Sequence, residues 1–196
     1  MITDRRRYGA AWPVQLVARV AAAARAGIQL VQVRERDLEG GALLALVRDC
    51  LAAVHGTATR VLVNDRTDVA LAAGAHGVHL PGDAVAAAAV RAITPSPFLI
   101  GRSVHALDEA QRVATAGGVD YLMFGTVFES SSKPGFAAAG TGALATIAAS
   151  VPVPVLAVGG VTADRIIAIR ESGAAGAAAI GLFADSSSFD TLVSAL

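Results

Sequence analysis

Short apolar runs recur along this chain, and nearly every one stops at polar residues or at glycine. They cover residues 28–34, 60–64, 77–80, 98–101, 121–125, 154–158 and 177–180, with a clipped Ile2-Thr3-Asp4 ahead of them. The runs lack period-two alternation, as expected for strands buried on both faces of a parallel sheet. Stretches with helical spacing lie between them. Pro13 opens one as a first-turn proline, Val14, Leu16, Val17, Val20 and Ala24 follow, and Gly27 closes it. Residues 38–54 carry Leu43, Leu44, Leu46, Val47 and Leu51 on one side. Asp68 is a candidate N-cap for a short helix through Ala73. Further helices are expected over 84–93, 107–116, 144–150, 164–171 and 189–196. Residues 5–11 and 126–141 are left as loops, and the second is long enough to suggest a functional segment.

Eight strands alternating with eight helices predict an α/β fold, a (β/α)8 TIM barrel formed by residues 1–196 as one domain. An open doubly wound sheet is the alternative. It would carry a glycine-rich turn after its first strand, and Asp4-Arg5-Arg6-Arg7 is not one.

In a barrel the C-terminal ends of all strands face one mouth. Those ends gather Gln32, Arg34 and Arg36, then Asn64 and Asp65, His79, and Arg102, Ser103 and His105. The loop after the sixth run adds Ser130, Ser132 and Lys133. Arg34 and Arg36 sit two apart, so an extended segment points both to one side together with Gln32. Two such guanidiniums repel unless an anion lies between them, and their planar forks suit phosphate oxygens. The competing reading is a solvated turn in which Glu35, Asp37 or Glu39 pairs with the arginines. The last two strand ends, Gly159-Gly160-Val161-Thr162 and Ile180-Gly181, offer backbone rather than side chains. Glycine allows close approach of a ligand, and barrels often bind phosphate there.

Asp65 suits magnesium, which takes one or two carboxylates plus phosphate oxygens, although a turn aspartate would look the same. His79 and His105 are acid–base candidates. His79 lies inside an apolar run, as a core histidine would, and His105 precedes a helix with Asp108 nearby, as a surface cap would.

Composition narrows the function classes. Sixteen basic residues balance sixteen acidic ones, and aromatics make up 5 %, so a nucleic-acid surface is disfavoured. Arg5-Arg6-Arg7 is the one basic run and reads as a solvated segment. No stretch has the apolar length of a membrane span, and no signal peptide is visible. A single cysteine, Cys50, excludes an intrachain disulfide, and a cytoplasmic protein is expected. Lys133 is the only lysine beside fifteen arginines, a compact ammonium kept at one place.

These motifs together resemble the thiamin phosphate synthase and thiazole tautomerase superfamily. The resemblance rests on Gln32-x-Arg34-x-Arg36, Val63-Asn64-Asp65-Arg66, Gly77-Val78-His79-Leu80, Gly101-x-Ser103, the stretch from Phe124 to Phe128, Ser130-x-Ser132-Lys133, Val158-Gly159-Gly160-Val161 and Ile180-Gly181. It implies an enzyme that joins hydroxymethylpyrimidine diphosphate to thiazole phosphate and releases pyrophosphate, with Mg2+ as cofactor. Gln32, Arg34 and Arg36 would grip the pyrophosphate with Lys133 and Ser103 beside it, so that Arg34, Lys133 and Ser103 form the candidate catalytic set. Asn64 would contact the pyrimidine or its phosphate, and His105 joins the substrate-binding set. Ser130 and Ser132, replacing threonines of the family motif, would hold the thiazole phosphate with Gly160, Ile180 and Gly181. Arg36 stands where the family usually has lysine. Asp65 would bind magnesium, but Ala84 occupies the place of the second magnesium aspartate, with Asp83 one position early. Thr126 stands where tautomerases carry an acid–base histidine. A thiazole tautomerase-like enzyme and a non-catalytic thiamin-precursor binding protein therefore stay open, as does a homo-oligomer.

Overall fold

The structure is a computed structural model that describes residues 1–129 and 137–185. Its seven strands are β1 (Leu30–Val33), β2 (Arg60–Asn64), β3 (Gly77–Leu80), β4 (Leu99–Val104), β5 (Tyr121–Phe124), β6 (Val155–Val158) and β7 (Gly176–Ala178). They form one sheet in sequence order, β1 to β7, and each registered pair is parallel. This is the strand order of a TIM-like α/β fold, but with seven strands among the described residues rather than the eight expected. The expected first strand is reduced to a single bridge, Ile2 to Gln32, flanked by Gln32 N–H to the Met1 carbonyl at 2.9 Å and Thr3 N–H to the Gln32 carbonyl at 3.0 Å. Asp4 stops it by turning its carboxylate onto the Arg6 amide and capping a 3-10 helix over Arg5–Ala11, where a loop was expected.

Contacts divide the described residues into two compact units. The first holds residues 1–79, 96–99 and 180–185. In it α1 (Trp12–Arg25) takes Pro13 in its first turn and turns Leu16, Val20, Ala23 and Ala24 inward at helical spacing. The helix α2 (Gly40–Ala53) does the same with Leu43, Leu46, Val47 and Cys50. They cover β1 and β2, whose Val31, Val61 and Val63 are fully buried. Burying each such side chain contributes about 1.5–3 kcal/mol against leaving it in water. The helix α3 (Thr67–Ala73) starts after Arg66, so Asp68 lies inside its first turn rather than at the cap, where it pairs with Arg66 at 2.6 Å.

The second unit holds residues 80–95, 100–129 and 137–179. Its helices are α4 (Ala87–Arg91), α5 (Leu107–Ala116), α6 (Gly140–Ser150) and α7 (Ile166–Glu171). Leu80, Ile100, Leu122, Phe124, Leu144, Ile147, Ile166 and Ile169 are its largest fully buried side chains. The expected helix over 84–93 shortens to α4. A short helix α8 (Gly181–Asp185), not foreseen from the sequence, belongs to the first unit. The helix expected over 189–196 lies outside the described residues.

Candidate active site

The end of β1 carries the densest polar group of the first unit. Gln32 is buried, and its Nε2 donates to Asn64 Oδ1 at 2.9 Å. Its Oε1 is buried without a hydrogen-bond partner. Such an atom costs free energy unless a ligand donates to it. Arg34 follows, half-buried, and its pKa is pushed down from the ordinary guanidinium value by burial and by the neighbouring Arg36 charge. Among the described residues no carboxylate reaches ion-pair distance of Arg34 or Arg36.

Two of the acids that were expected to neutralise them, Glu35 and Asp37, are engaged elsewhere. Strand alternation turns Glu35 away from Arg34 and into the protein. Its Oε1 accepts from the Thr3 hydroxyl at 2.6 Å, and both of its oxygens accept from the Arg5 amide. Asp37 accepts from Arg5 Nη2 at 2.8 Å and lies 3.5 Å from Arg6 Nη2. The solvated-turn reading of this stretch gives way to a half-buried cation that feels the Asp4 and Glu35 charges but makes no ion pair with a described carboxylate.

The end of β2 lies beside it, with Asn64 in register with His79 of β3. Asp65 follows in the left-handed region at φ 64°, a conformation that aspartate tolerates better than most side chains. The Asp65 amide donates to the His79 carbonyl at 2.9 Å, and its own carbonyl accepts from Thr67 N–H at 2.8 Å. This turn leaves the carboxylate exposed. Among the described residues no group of three or more metal-capable side chains exists. Asp65 offers a magnesium ion one exposed carboxylate, and phosphate oxygens and water would have to complete its shell. His79 is 2 % exposed, and burial, then the Arg34 charge, lowers its pKa to about 4. It is a neutral core histidine at physiological pH.

In the second unit Ser103 lies half-buried on β4. The His105 amide donates to Glu109 Oε2 at 2.7 Å, so Glu109 rather than Asp108 makes the contact at this helix start, and His105 Nδ1 meets the Gly125 carbonyl. Asp83 is exposed on a segment whose carbonyls are gathered by Arg102. Its Nη2 donates to Gly82 O at 2.8 Å and Ala84 O at 3.0 Å, and Nη1 to Val85 O at 2.7 Å.

After β6 the chain keeps pairing with the loop that follows β5. Val127 N–H donates to Val158 O at 2.9 Å, and Phe128 N–H to Gly159 O at 3.1 Å. Gly160 sits at φ 60°, and a Cβ there would lie 2.3 Å from the Glu129 carbonyl. The expectation that glycine leaves room for a ligand is corrected on that side, because the protein's own loop fills it. Arg165 Nη1 donates to the Gly160 carbonyl at 2.6 Å while its guanidinium stacks 4.7 Å from the Phe128 ring centroid. No described residue accepts the amide N–H of Gly160 or Val161. Ile180 and Gly181, in the first unit, open α8, and the Ile180 carbonyl accepts from the Phe183 and Ala184 amides. Ser130, Ser132 and Lys133 lie outside the described residues.

A family profile described as thiamine monophosphate synthase matches residues 1–183. The chain belongs to the thiamine monophosphate synthase family. A thiamine-phosphate synthase of Anaeromyxobacter dehalogenans is 42 % identical over 165 residues, which span 84 % of this chain and 73 % of that one. A putative thiamine-phosphate synthase of Aquifex aeolicus is 33 % identical over 93 % of this chain and 95 % of its own. Among solved structures, a thiamine phosphate pyrophosphorylase of Pyrococcus furiosus superposes with TM-score 0.85 at 28 % identity, covering all of this chain and 91 % of that one.

Within this family the sequence reading singled out the residue types at the strand ends but missed the groups behind them. From sequence Thr3 reads as part of a clipped strand, Glu35 as a pairing partner of the arginines, and Arg165 as a helix residue. Strand alternation could have flagged Glu35, since it must point opposite to Arg34. Nothing local marks Arg165.

Proposed function

We propose that this chain is a magnesium-dependent thiamine-phosphate synthase, which joins hydroxymethylpyrimidine diphosphate to thiazole phosphate and releases pyrophosphate. Named relatives support the activity. The observation that carries the mechanism is the half-buried Arg34, whose neighbouring acids are spent on Thr3, Arg5 and Arg6. Held at the end of a strand without an ion pair to a described carboxylate, it suits an anion that arrives with the substrate and gains charge as the reaction proceeds.

The bond between the pyrimidine methylene and the pyrophosphate oxygen breaks early in this reading. The electron-rich pyrimidine bears the resulting cation, and the thiazole nitrogen then bonds to the methylene carbon. Arg34 and Arg36 stabilise the departing oxygens, and Gln32 and Asn64 orient the diphosphate-bearing substrate. Ser103, Lys133 and His105 are assigned to substrate contact. The amides of Gly160 and Val161, in the second unit, take the thiazole phosphate. Magnesium, when bound at Asp65, supplies further positive charge for the pyrophosphate oxygens. The substrates are small phosphorylated molecules, and the enzyme is placed in the cytoplasm; among the described residues no helix is long and apolar enough to cross a membrane.

The tautomerase alternative needs a titrating group at the site. Thr126 does not titrate near neutral pH and His79 is held neutral by burial, so His105 is the group such an enzyme would use. The deciding assay is pyrophosphate release from the two phosphorylated precursors. Release with magnesium and none with a chelator is expected. Binding of both precursors without release would overturn the proposal.

A further inference from the structure

Glu35 is the only acidic residue in the buried set among the described residues, and the mechanism above does not use it. Its surroundings show what it holds. The Thr3 hydroxyl has one proton and gives it to Glu35 Oε1 at 2.6 Å. The same hydroxyl oxygen accepts the Arg34 amide N–H at 2.9 Å. Arg34 lies just past the last residue of β1, where the ladder bonds of the strand have stopped. The other end of the network is the Arg5 amide, 3.2 and 3.1 Å from the two Glu35 oxygens. Thr3 is itself pinned to β1 through its amide bond to Gln32.

We propose that Glu35, acting through the Thr3 hydroxyl, is a positioning residue that fixes the main chain of Arg34 and thereby sets the affinity of its guanidinium for pyrophosphate. This rests on the pyrophosphate reading of the site. A charged acceptor commits the hydroxyl proton and so orients its lone pair at Arg34. Long side chains make good anion clamps only when their base is held, because small displacements of a binding group cost much of its effect.

The test is calorimetric titration of inorganic pyrophosphate, with magnesium present, into the full chain and five variants. Thr3→Val keeps the shape and loses the hydroxyl, and loss of one buried hydrogen bond of this kind corresponds to about a tenfold weaker binding. Thr3→Ser keeps the hydroxyl and is expected to bind as the parent does. Glu35→Gln keeps the shape, loses the charge, and is expected to weaken binding in the same direction as Thr3→Val. In an Arg34→Ala background, Thr3→Val is expected to add no further loss. Equal losses from Thr3→Val with and without Arg34, or parent-like affinity in Thr3→Val, would overturn the positioning role. Parent-like affinity in Arg34→Ala would overturn the pyrophosphate reading itself, so the two failures are distinct.

Discussion

Two groups of arginines in the first unit meet opposite fates. Arg5, Arg6 and Arg7 form the most basic stretch of the sequence, yet the structure neutralises them. Arg5 bonds to Asp37 and stacks 5.3 Å from the Trp12 ring centroid, Arg6 approaches Asp37, and Arg7 lies 3.9 Å from Asp4. Arg34 and Arg36 are interleaved with acids in sequence, yet no described carboxylate pairs with them. Neighbours along a strand point to opposite sides, so adjacency in sequence is a poor guide to pairing. The acids that look like partners of Arg34 serve the other cluster. A run of like charge thus becomes ordinary surface, and a mixed-charge stretch keeps a half-buried arginine without an ion pair to a described carboxylate.

The sharpest way to break this contrast is to remove each cation in turn. Losing one electrostatic contact to a developing charge commonly costs about 3 kcal/mol, or roughly a hundredfold in rate. Arg34→Ala is expected to lose that much, more in kcat than in KM, while Arg5→Ala keeps turnover near the parent value. Steady-state pyrophosphate release reads both. Comparable losses in the two variants would erase the distinction.

Asp65 allows a cleaner separation of backbone from charge. Its φ of 64° suits glycine, so Asp65→Gly should melt no lower than the parent. Its activity should nonetheless fall on the order of a hundredfold if the carboxylate holds magnesium. Unchanged turnover in Asp65→Gly would remove the metal role. A smaller effect is expected at Gly160, where a Cβ meets the Glu129 carbonyl at 2.3 Å. Gly160→Ala should destabilise the fold by about 1–3 kcal/mol, seen in urea unfolding without any ligand. Parent-like stability there would mean that the loop after β5 yields easily.

The mildest effect concerns pH. Burial, then the Arg34 charge, lowers the His79 pKa from 6.5 to about 4. Between those values the unfolded chain binds the proton and the folded chain does not. The stability His79 contributes is complete above pH 6.5 and lost as pH falls toward 4. Burial raises the Glu35 pKa and works in the opposite sense, so the difference between parent and His79→Gln melting curves isolates the histidine. An identical slope in both proteins would contradict its burial as a neutral ring.

Much of the fold was legible. The bounds of β2, β3 and α5 agree with the apolar runs and helical spacing, because sharp polar or glycine boundaries enclose them. The alanine- and glycine-rich end was harder. Residues that fit strand, helix and turn alike gave no boundary between β7 and α8. The first strand failed for a different reason, since Asp4 caps a helix as soon as one bridge has formed. At the site, residue types were visible but partners were not. Glu35 meets Thr3 across thirty-two positions, and the crowding at Gly160 comes from a loop far away in sequence. The left-handed turn at Asp65 has only a weak local signature.

One measurement addresses the contrast between the two arginine groups directly. Crystals of the full chain grown with pyrophosphate and magnesium should show the anion against Arg34 and Gln32, with the ion on Asp65. Pyrophosphate seated on Arg5, Arg6 or Arg7, with none at Arg34, would contradict the account.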